Sequence, residues 1–126
     1  MSKKILIVDD SGTERLYLSE LLGKIENIEV TEADGPGAAI GQLSIKKYDL
    51  IFIDYFLKGS LGSDLKKMIL EKNPGDNAAT NAIVLGSVTD FQGDFLKKTG
   101  FINYLEKPVE FNMLKAAISM YAKASD

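Results

Sequence analysis

Cysteine and histidine are both absent from this chain of 126 residues. Without cysteine the chain has no disulfides and no thiolate metal sites, and without histidine it lacks the usual general base and a common zinc ligand. No apolar run approaches the ~20 residues that a helix needs to span a bilayer. Any chemistry therefore has to rely on carboxylates, hydroxyls, lysines or a hard metal ion.

The charge balance excludes another class of function. A formal net charge of −3 with 15 basic residues provides no basic face for nucleic acid. Met1 to Lys4 lead directly into a short strand without a small-residue cleavage site, so we expect no signal peptide. With 45% hydrophobic residues the chain can bury a core, and its length suits one domain over residues 1–126. We therefore expect a cytoplasmic domain that binds neither membrane nor nucleic acid directly.

Short apolar segments alternate with amphipathic ones along the chain. The pattern predicts five strands, at residues 4–8, 28–31, 49–53, 83–85 and 101–105. It predicts five helices between and after them, at residues 13–24, 34–47, 64–72, 90–99 and 110–123. Such alternation implies right-handed crossovers and a parallel sheet covered on both faces, which is a three-layer α/β domain.

Carboxylates follow two of the predicted strands. Asp9 and Asp10 follow the first strand, and Asp54 follows the buried third strand. If these strands are neighbours, about 5 Å apart, three carboxylates meet at the edge of the sheet where open α/β folds bind ligands. Two groups can offset their repulsion, Lys107 and a divalent cation such as Mg²⁺. Such a site can neutralise phosphoryl oxygens while one carboxylate accepts the phosphoryl group.

Four motifs in chain order resemble the receiver domain of two-component response regulators. They are Val8-Asp9-Asp10, the strand-end Asp54, Ser87 after an apolar strand, and Lys107-Pro108. The resemblance covers essentially the whole chain. It implies a flavodoxin-like (βα)5 fold whose five-stranded parallel sheet has the order 2-1-3-4-5.

The resemblance also implies the chemistry of the acidic site. Asp54 corresponds to the phosphoacceptor, which takes a phosphoryl group from a sensor histidine kinase or a phosphotransfer protein. Asp9 and Asp10 correspond to the acidic pair that holds Mg²⁺, together with Asp54 and the backbone carbonyl of Phe56. Beyond slow self-phosphorylation from small donors and self-dephosphorylation, no enzymatic turnover is implied.

Further positions match residues that respond to phosphorylation in the family. Ser87 and Lys107 correspond to the hydroxyl and the ammonium that stabilise the phosphoryl group. Ser87 and Tyr104 correspond to the switch pair, and the peptide bond from Lys107 to Pro108 to one that is usually cis. Gly62 matches the glycine that opens the third helix. The output protein or output domain is expected at the fourth helix, fifth strand and fifth helix.

Several positions depart from the family pattern. Leu57-Lys58 stands where Met-Pro is usual, Val88 is larger than the usual Ala or Gly, and Phe56 replaces what is often a polar residue. We expect Val88 to restrict small phosphodonors and Phe56 to hinder the water that removes the phosphoryl group. The phosphorylated state is therefore predicted to be long-lived. The fourth helix is expected to be trimmed, and the loop over residues 74–81 is longer than usual.

Three other functions are compatible with parts of the pattern. Val88 and Lys58 favour a degenerate receiver that serves only as a docking module, although the acidic pocket is complete. An aspartyl phosphohydrolase of the haloacid-dehalogenase type also has an Asp after a buried strand, but it needs a second Asp where this chain has Phe56. Residues 11–13 hint at a phosphate loop of an FMN binder, but the preceding acidic pair would repel the phosphate.

Overall fold

The computed structural model describes residues 2–122, in which five parallel strands form the main sheet. The strands are β1 Lys3–Val8, β2 Ile28–Ala33, β3 Leu50–Asp54, β4 Ala82–Gly86 and β5 Asn103–Glu106. Their order is β2-β1-β3-β4-β5, and every neighbouring pair is parallel. The predicted flavodoxin-like sheet and its order 2-1-3-4-5 are therefore confirmed.

Helices cover both faces of this sheet and complete three layers. They are α1 Gly12–Leu22, α2 Pro36–Ile45, α3 Gly62–Lys72, α4 Phe95–Thr99 and α5 Phe111–Tyr121. Apolar residues of α1 and α5 share one core with the sheet, and those of α2, α3 and α4 share the other. No helix within residues 2–122 is long and apolar enough to cross a membrane. Lys123, the predicted end of the last helix, lies outside the described residues, and the single domain over residues 1–126 stays a prediction.

Strand β3 is buried along its whole length, from Leu50 to Asp54. Leu50 and Phe52 point into the core beneath α1 and α5, whereas Ile51 and Ile53 point into the opposite core. A strand between two cores needs apolar side chains on both faces, which explains its continuous apolar run. Its last residue, Asp54, emerges at the carboxyl edge of the sheet between β1 and β4.

The segment before β5 contains a trimmed fourth helix, as predicted, and the helix covers only part of residues 90–99. A 3₁₀ turn, Val88–Phe91, is followed by Gly93 at φ +67, and α4 keeps only five residues. The left-handed backbone at Gly93 interrupts the helical hydrogen bonds, so a single helix cannot form here. Strand β5 also begins two residues later than predicted, at Asn103, and Phe101 is buried in the core before the strand starts.

The connection after β3 is a hairpin, which the alternation of strands and helices did not predict. Phe56–Leu57 pairs antiparallel with Ser60–Leu61 around a turn in which Gly59 has φ +79. Gly62 then opens α3, as the resemblance implied. A Cβ atom at Gly62 would clash with the backbone carbonyl oxygen of Asp54. Only glycine therefore lets this turn pack against the end of β3.

The polar segment of residues 74–81 is anchored by a buried side chain rather than being a free loop. Asn77 is fully buried. Its Nδ2 donates to the backbone carbonyl oxygens of Leu43 and Lys46 at 2.8 Å each, and its Oδ1 accepts from the backbone N–H of Tyr48 at 2.9 Å. The side chain thus satisfies buried backbone groups at the end of α2 and before β3.

Candidate functional site

An acidic cluster lies at the carboxyl edge of the sheet. Because β1 and β3 are neighbours, Asp9 and Asp54 emerge side by side, and they are only 3% and 7% exposed. The carboxylate of Glu14, in the first turn of α1, joins them, and the three ligand oxygens lie within 4.8 Å of one another. Such oxygen donors suit a hard cation such as Mg²⁺. Asp10 is exposed and lies outside this group of three.

Lys107 supplies positive charge to this cluster. Its Nζ lies 2.7 Å from Asp54 Oδ1, 2.6 Å from Glu14 Oε1 and 3.6 Å from Asp9 Oδ2. The backbone holds the lysine in place, since its N–H donates to the carbonyl oxygen of Gly86 at 2.8 Å. The following peptide bond, to Pro108, is cis. One ammonium thus faces three carboxylates.

The ionisation of Asp54 reflects this imbalance. Burial raises the pKa of Asp54 to about 6, although the hydrogen bond and the charge of Lys107 act in the opposite direction. Burial lowers the pKa of Lys107, but its hydrogen bonds to Asp54 and Glu14 outweigh this effect and raise it overall. At neutral pH the site therefore holds an ionised carboxylate that is incompletely neutralised. Additional positive charge would stabilise it.

Ser87 opens onto the same cleft as the acidic cluster. The cleft has a volume of about 340 Å³ and is lined by Asp54, Ser87 and Lys107, among others. The backbone N–H of Ser87 donates to Asp90 Oδ2 at 2.8 Å, while its hydroxyl lies 3.1 Å from the hydroxyl of Thr89. Asp90 thus holds the serine backbone, while the serine hydroxyl contacts the hydroxyl of Thr89.

Tyr104 is linked to Ser87 through one short turn. Its half-buried ring stacks on Phe91, with the centroids 4.6 Å apart and the planes at 27°. Phe91 ends the 3₁₀ turn that starts directly after Ser87. A displacement of Ser87 therefore has a short physical route to the tyrosine, through backbone and then through ring contact.

The positions that depart from the family pattern lie in different places. Phe56 lines the cleft, with a side chain that is 62% exposed and packs edge-on against Tyr55. Val88 instead lines a neighbouring groove together with Tyr104 and Met113. Phe56 is thus placed to affect access to Asp54, whereas Val88 borders the aromatic switch position.

Sequence reasoning missed Glu14 as a member of the site. Its signal was its place in the first turn of the helix that follows the Asp9-Asp10 pair. Ser11 caps that helix by accepting a hydrogen bond from the backbone N–H of Glu14 at 3.2 Å. Side chains on a helix tilt towards its N-terminus, so this cap directs Glu14 towards the sheet edge.

Comparisons with known proteins agree with this geometry. The family model described as response regulator receiver domain matches residues 5–119. The chain is 31% identical over 120 residues to protein PilH of Pseudomonas aeruginosa, which covers 92% of this chain and 94% of that protein. It is 29% identical to the sensory transduction protein LytT of Bacillus subtilis over 97% of this chain but 49% of that protein. The chain thus spans about half the length of LytT and of the MalR regulator.

Solved structures have the same fold. The receiver domain of a Pseudomonas aeruginosa sensor histidine kinase, with a magnesium ion in its active site cleft, has a TM-score of 0.82 at 22% identity, covering 98% of this chain and 100% of that one. A CheY-like receiver domain from Methylobacillus flagellatus reaches 0.83 at 22% identity, covering 96% and 99%. At these identities the likeness shows the fold alone. From the match over residues 5–119 it follows that the chain belongs to the response regulator receiver domain family.

Proposed function

We propose that this chain is a phosphorylation-activated signalling switch in which Asp54 accepts a phosphoryl group from a sensor histidine kinase or a phosphotransfer protein. One observation carries this proposal. Asp54 is a buried carboxylate at the binding edge of the sheet, with Lys107 Nζ 2.7 Å from it and Asp9 beside it. A buried nucleophile between an ammonium and a second acid suits transfer of an anionic group.

The acidic residues fit a Mg²⁺ ion in the proposed site. Asp9, Asp10 and Asp54 would hold it with the backbone carbonyl of Phe56, all of them oxygen donors. The bound cation supplies positive charge to the phosphoryl oxygens. The raised pKa of Asp54 supports this assignment. Burial removes water from its carboxylate and Lys107 compensates only in part, so further positive charge would stabilise the ionised form. Asp10 is exposed and lies outside the group of three carboxylates, so its part in holding the ion rests on the family resemblance.

The transfer step requires little from the protein besides position and charge. A carboxylate oxygen of Asp54 attacks the phosphorus of a partner's phosphohistidine, so an O–P bond forms while the N–P bond breaks and the imidazole leaves. Lys107 and the hydroxyl of Ser87 donate hydrogen bonds to the phosphoryl oxygens. The acyl phosphate carries about two negative charges where the carboxylate of Asp54 carried about one, and this added charge draws the Ser87 hydroxyl inwards.

The response to that charge is proposed to reach the surface through Tyr104. Ser87 begins the turn that carries Phe91, and Phe91 stacks on Tyr104. Movement of Ser87 therefore alters the packing of the tyrosine, which biases a two-state element. The output partner is proposed to read this change on the surface of α4, β5 and α5. Slow self-phosphorylation and self-dephosphorylation, and a cytoplasmic location, are part of the same proposal.

A phosphoryl mimic tests the proposal directly. Beryllofluoride with Mg²⁺ is added to the ¹⁵N-labelled protein, and the amide signals are followed by NMR. We expect the signals of Ser87 and Tyr104 to shift. The Asp54→Asn variant, which cannot bind the mimic, serves as the control and is expected to stay unchanged. An unchanged spectrum at both residues in the wild type contradicts the switch.

A further inference from the structure

Glu14 makes the shortest contact that Lys107 has with any carboxylate of the site. Its Oε1 lies 2.6 Å from Lys107 Nζ, compared with 2.7 Å for Asp54 and 3.6 Å for Asp9. The two acids nearest the ammonium therefore compete for the same donors. Asp54 is held within the sheet edge, whereas the Glu14 side chain is 50% exposed on the first turn of α1.

Space around Glu14 allows its side chain to leave the lysine. Glu14 and Lys107 line the 340 Å³ cleft above Asp54 and also a second, largely apolar cavity of about 300 Å³ beside Tyr17 and Val109. Glu14 and Lys107 thus lie between the cleft and the cavity. Because half of the Glu14 side chain is exposed, its rotation away from Lys107 requires little repacking.

A phosphoryl group on Asp54 and the Glu14 carboxylate both need hydrogen-bond donors of Lys107. The ammonium has three N–H groups, and two of them already face Asp54 and Glu14. An arriving dianion next to the Glu14 carboxylate is also repelled by it. Both effects act against phosphorylation until the glutamate moves.

We propose that Glu14 is an internal competitor that holds Lys107 before phosphorylation and releases it to the phosphoryl group. This inference rests on the proposed function of Asp54. Glu14 is a positioning residue in this scheme, since it acts through Lys107. Its presence lowers the affinity of the site for phosphoryl groups, and its removal raises it.

Beryllofluoride affinity at saturating Mg²⁺ measures this competition. The Glu14→Gln variant is expected to bind the mimic roughly two- to fivefold more tightly than the wild type. This change in affinity corresponds to the interaction energy of a partly exposed ion pair. Glu14→Ala, which also removes the carboxylate, is expected to raise the affinity for the mimic as well. The matched control is Glu20→Gln, which removes the same charge from the exposed side of α1, about 9 Å further along the helix; its affinity is expected to equal that of the wild type.

The affinity for Mg²⁺ alone separates competition for Lys107 from an effect on the metal. We expect no gain in Mg²⁺ affinity for Glu14→Gln, because the variant loses a negative charge. An equal gain for Mg²⁺ and for the mimic, or equal mimic affinities in Glu14→Gln and the wild type, overturns the competition while leaving the phosphoacceptor role intact. If the wild type itself fails to bind the mimic, the proposed function fails and the competition fails with it.

Discussion

Replacing Asp54 by asparagine is expected to stabilise the protein at neutral pH, although it removes the proposed phosphoacceptor. Burial makes the ionised carboxylate costly, and Lys107 compensates only in part. Asparagine keeps nearly the same size and removes the charge. Lys107 is not left unpaired by this change, since Glu14 remains 2.6 Å from its ammonium.

The pKa of Asp54 gives the expected size of the gain in stability. The difference between about 6 in the folded protein and the ordinary value of 3.8 corresponds to about 3 kcal/mol. Because the folded state binds the proton more tightly than the unfolded state, stability falls as the pH rises from about 4 to about 6. Above about 6 the full cost is present, and below about 4 it is absent. The gain in stability from Asp54→Asn therefore grows as the pH rises from about 4 to about 6.

Urea denaturation in the presence of a chelator measures the effect. At pH 7.5 we expect the free energy of unfolding of Asp54→Asn to exceed that of the wild type by up to about 3 kcal/mol, which is on the order of 10 °C in melting temperature. At pH 4 the two proteins should be about equally stable. Adding Mg²⁺ at pH 7.5 should narrow the difference in stability. The wild type has Asp54 as a proposed ligand and gains stability from binding the cation, whereas the variant lacks this ligand.

Asp94→Asn is the matched control, since the Asp94 side chain is 61% exposed. Its stability should stay within about 0.5 kcal/mol of the wild type at every pH. The reasoning is refuted if Asp54→Asn is no more stable than the wild type at pH 7.5, or if its advantage is the same at pH 4. Either result would mean that burial does not make the Asp54 carboxylate costly.

Three further changes test the scaffold and the chemistry. Asn77→Ala should lower the free energy of unfolding by about 2–4 kcal/mol, measured by urea denaturation, because it orphans several buried backbone groups; a loss below 0.5 kcal/mol would contradict this. Gly62→Ala should destabilise the fold by about 1–3 kcal/mol through the clash with the Asp54 carbonyl, whereas Gly41→Ala, with open space around it, should be neutral or stabilising in the same assay; equal effects would refute the steric argument. Release of nitrophenol from an aryl phosphate should be negligible, because Phe56 stands where a phosphohydrolase needs an acid; steady turnover would favour that enzyme class instead.

The fold class and the central acids could be predicted because their signals are local. A strand buried on both faces needs a continuous apolar run, and β3 has one that ends in Asp54. The alternation of strands and helices then dictates a parallel sheet, whose carboxyl ends share one edge. Asp9, at the end of β1, meets Asp54 as a direct consequence of that arrangement.

Element boundaries were less predictable where one residue overrides its neighbours. A trimmed fourth helix was predicted, but its start depends on the left-handed backbone at Gly93, which divides residues 90–99 into a turn and a five-residue helix. The hairpin at Phe56–Leu57 likewise depends on a positive φ at Gly59. Hydrophobic periodicity indicates which face of a segment is buried, but it does not indicate where the backbone adopts a positive φ angle.

Contacts between side chains from distant segments depended on how the elements pack. The place of Glu14 in the first turn of α1 brings it near the acids, but its contact with Lys107 also depends on the phase of the helix and the position of β5. The stack of Phe91 on Tyr104 has the same origin. Local sequence thus specified the sheet and delivered the acids to its edge, whereas packing in three dimensions chose which charged and aromatic groups touch there, because a contact distance depends on every element between the two partners.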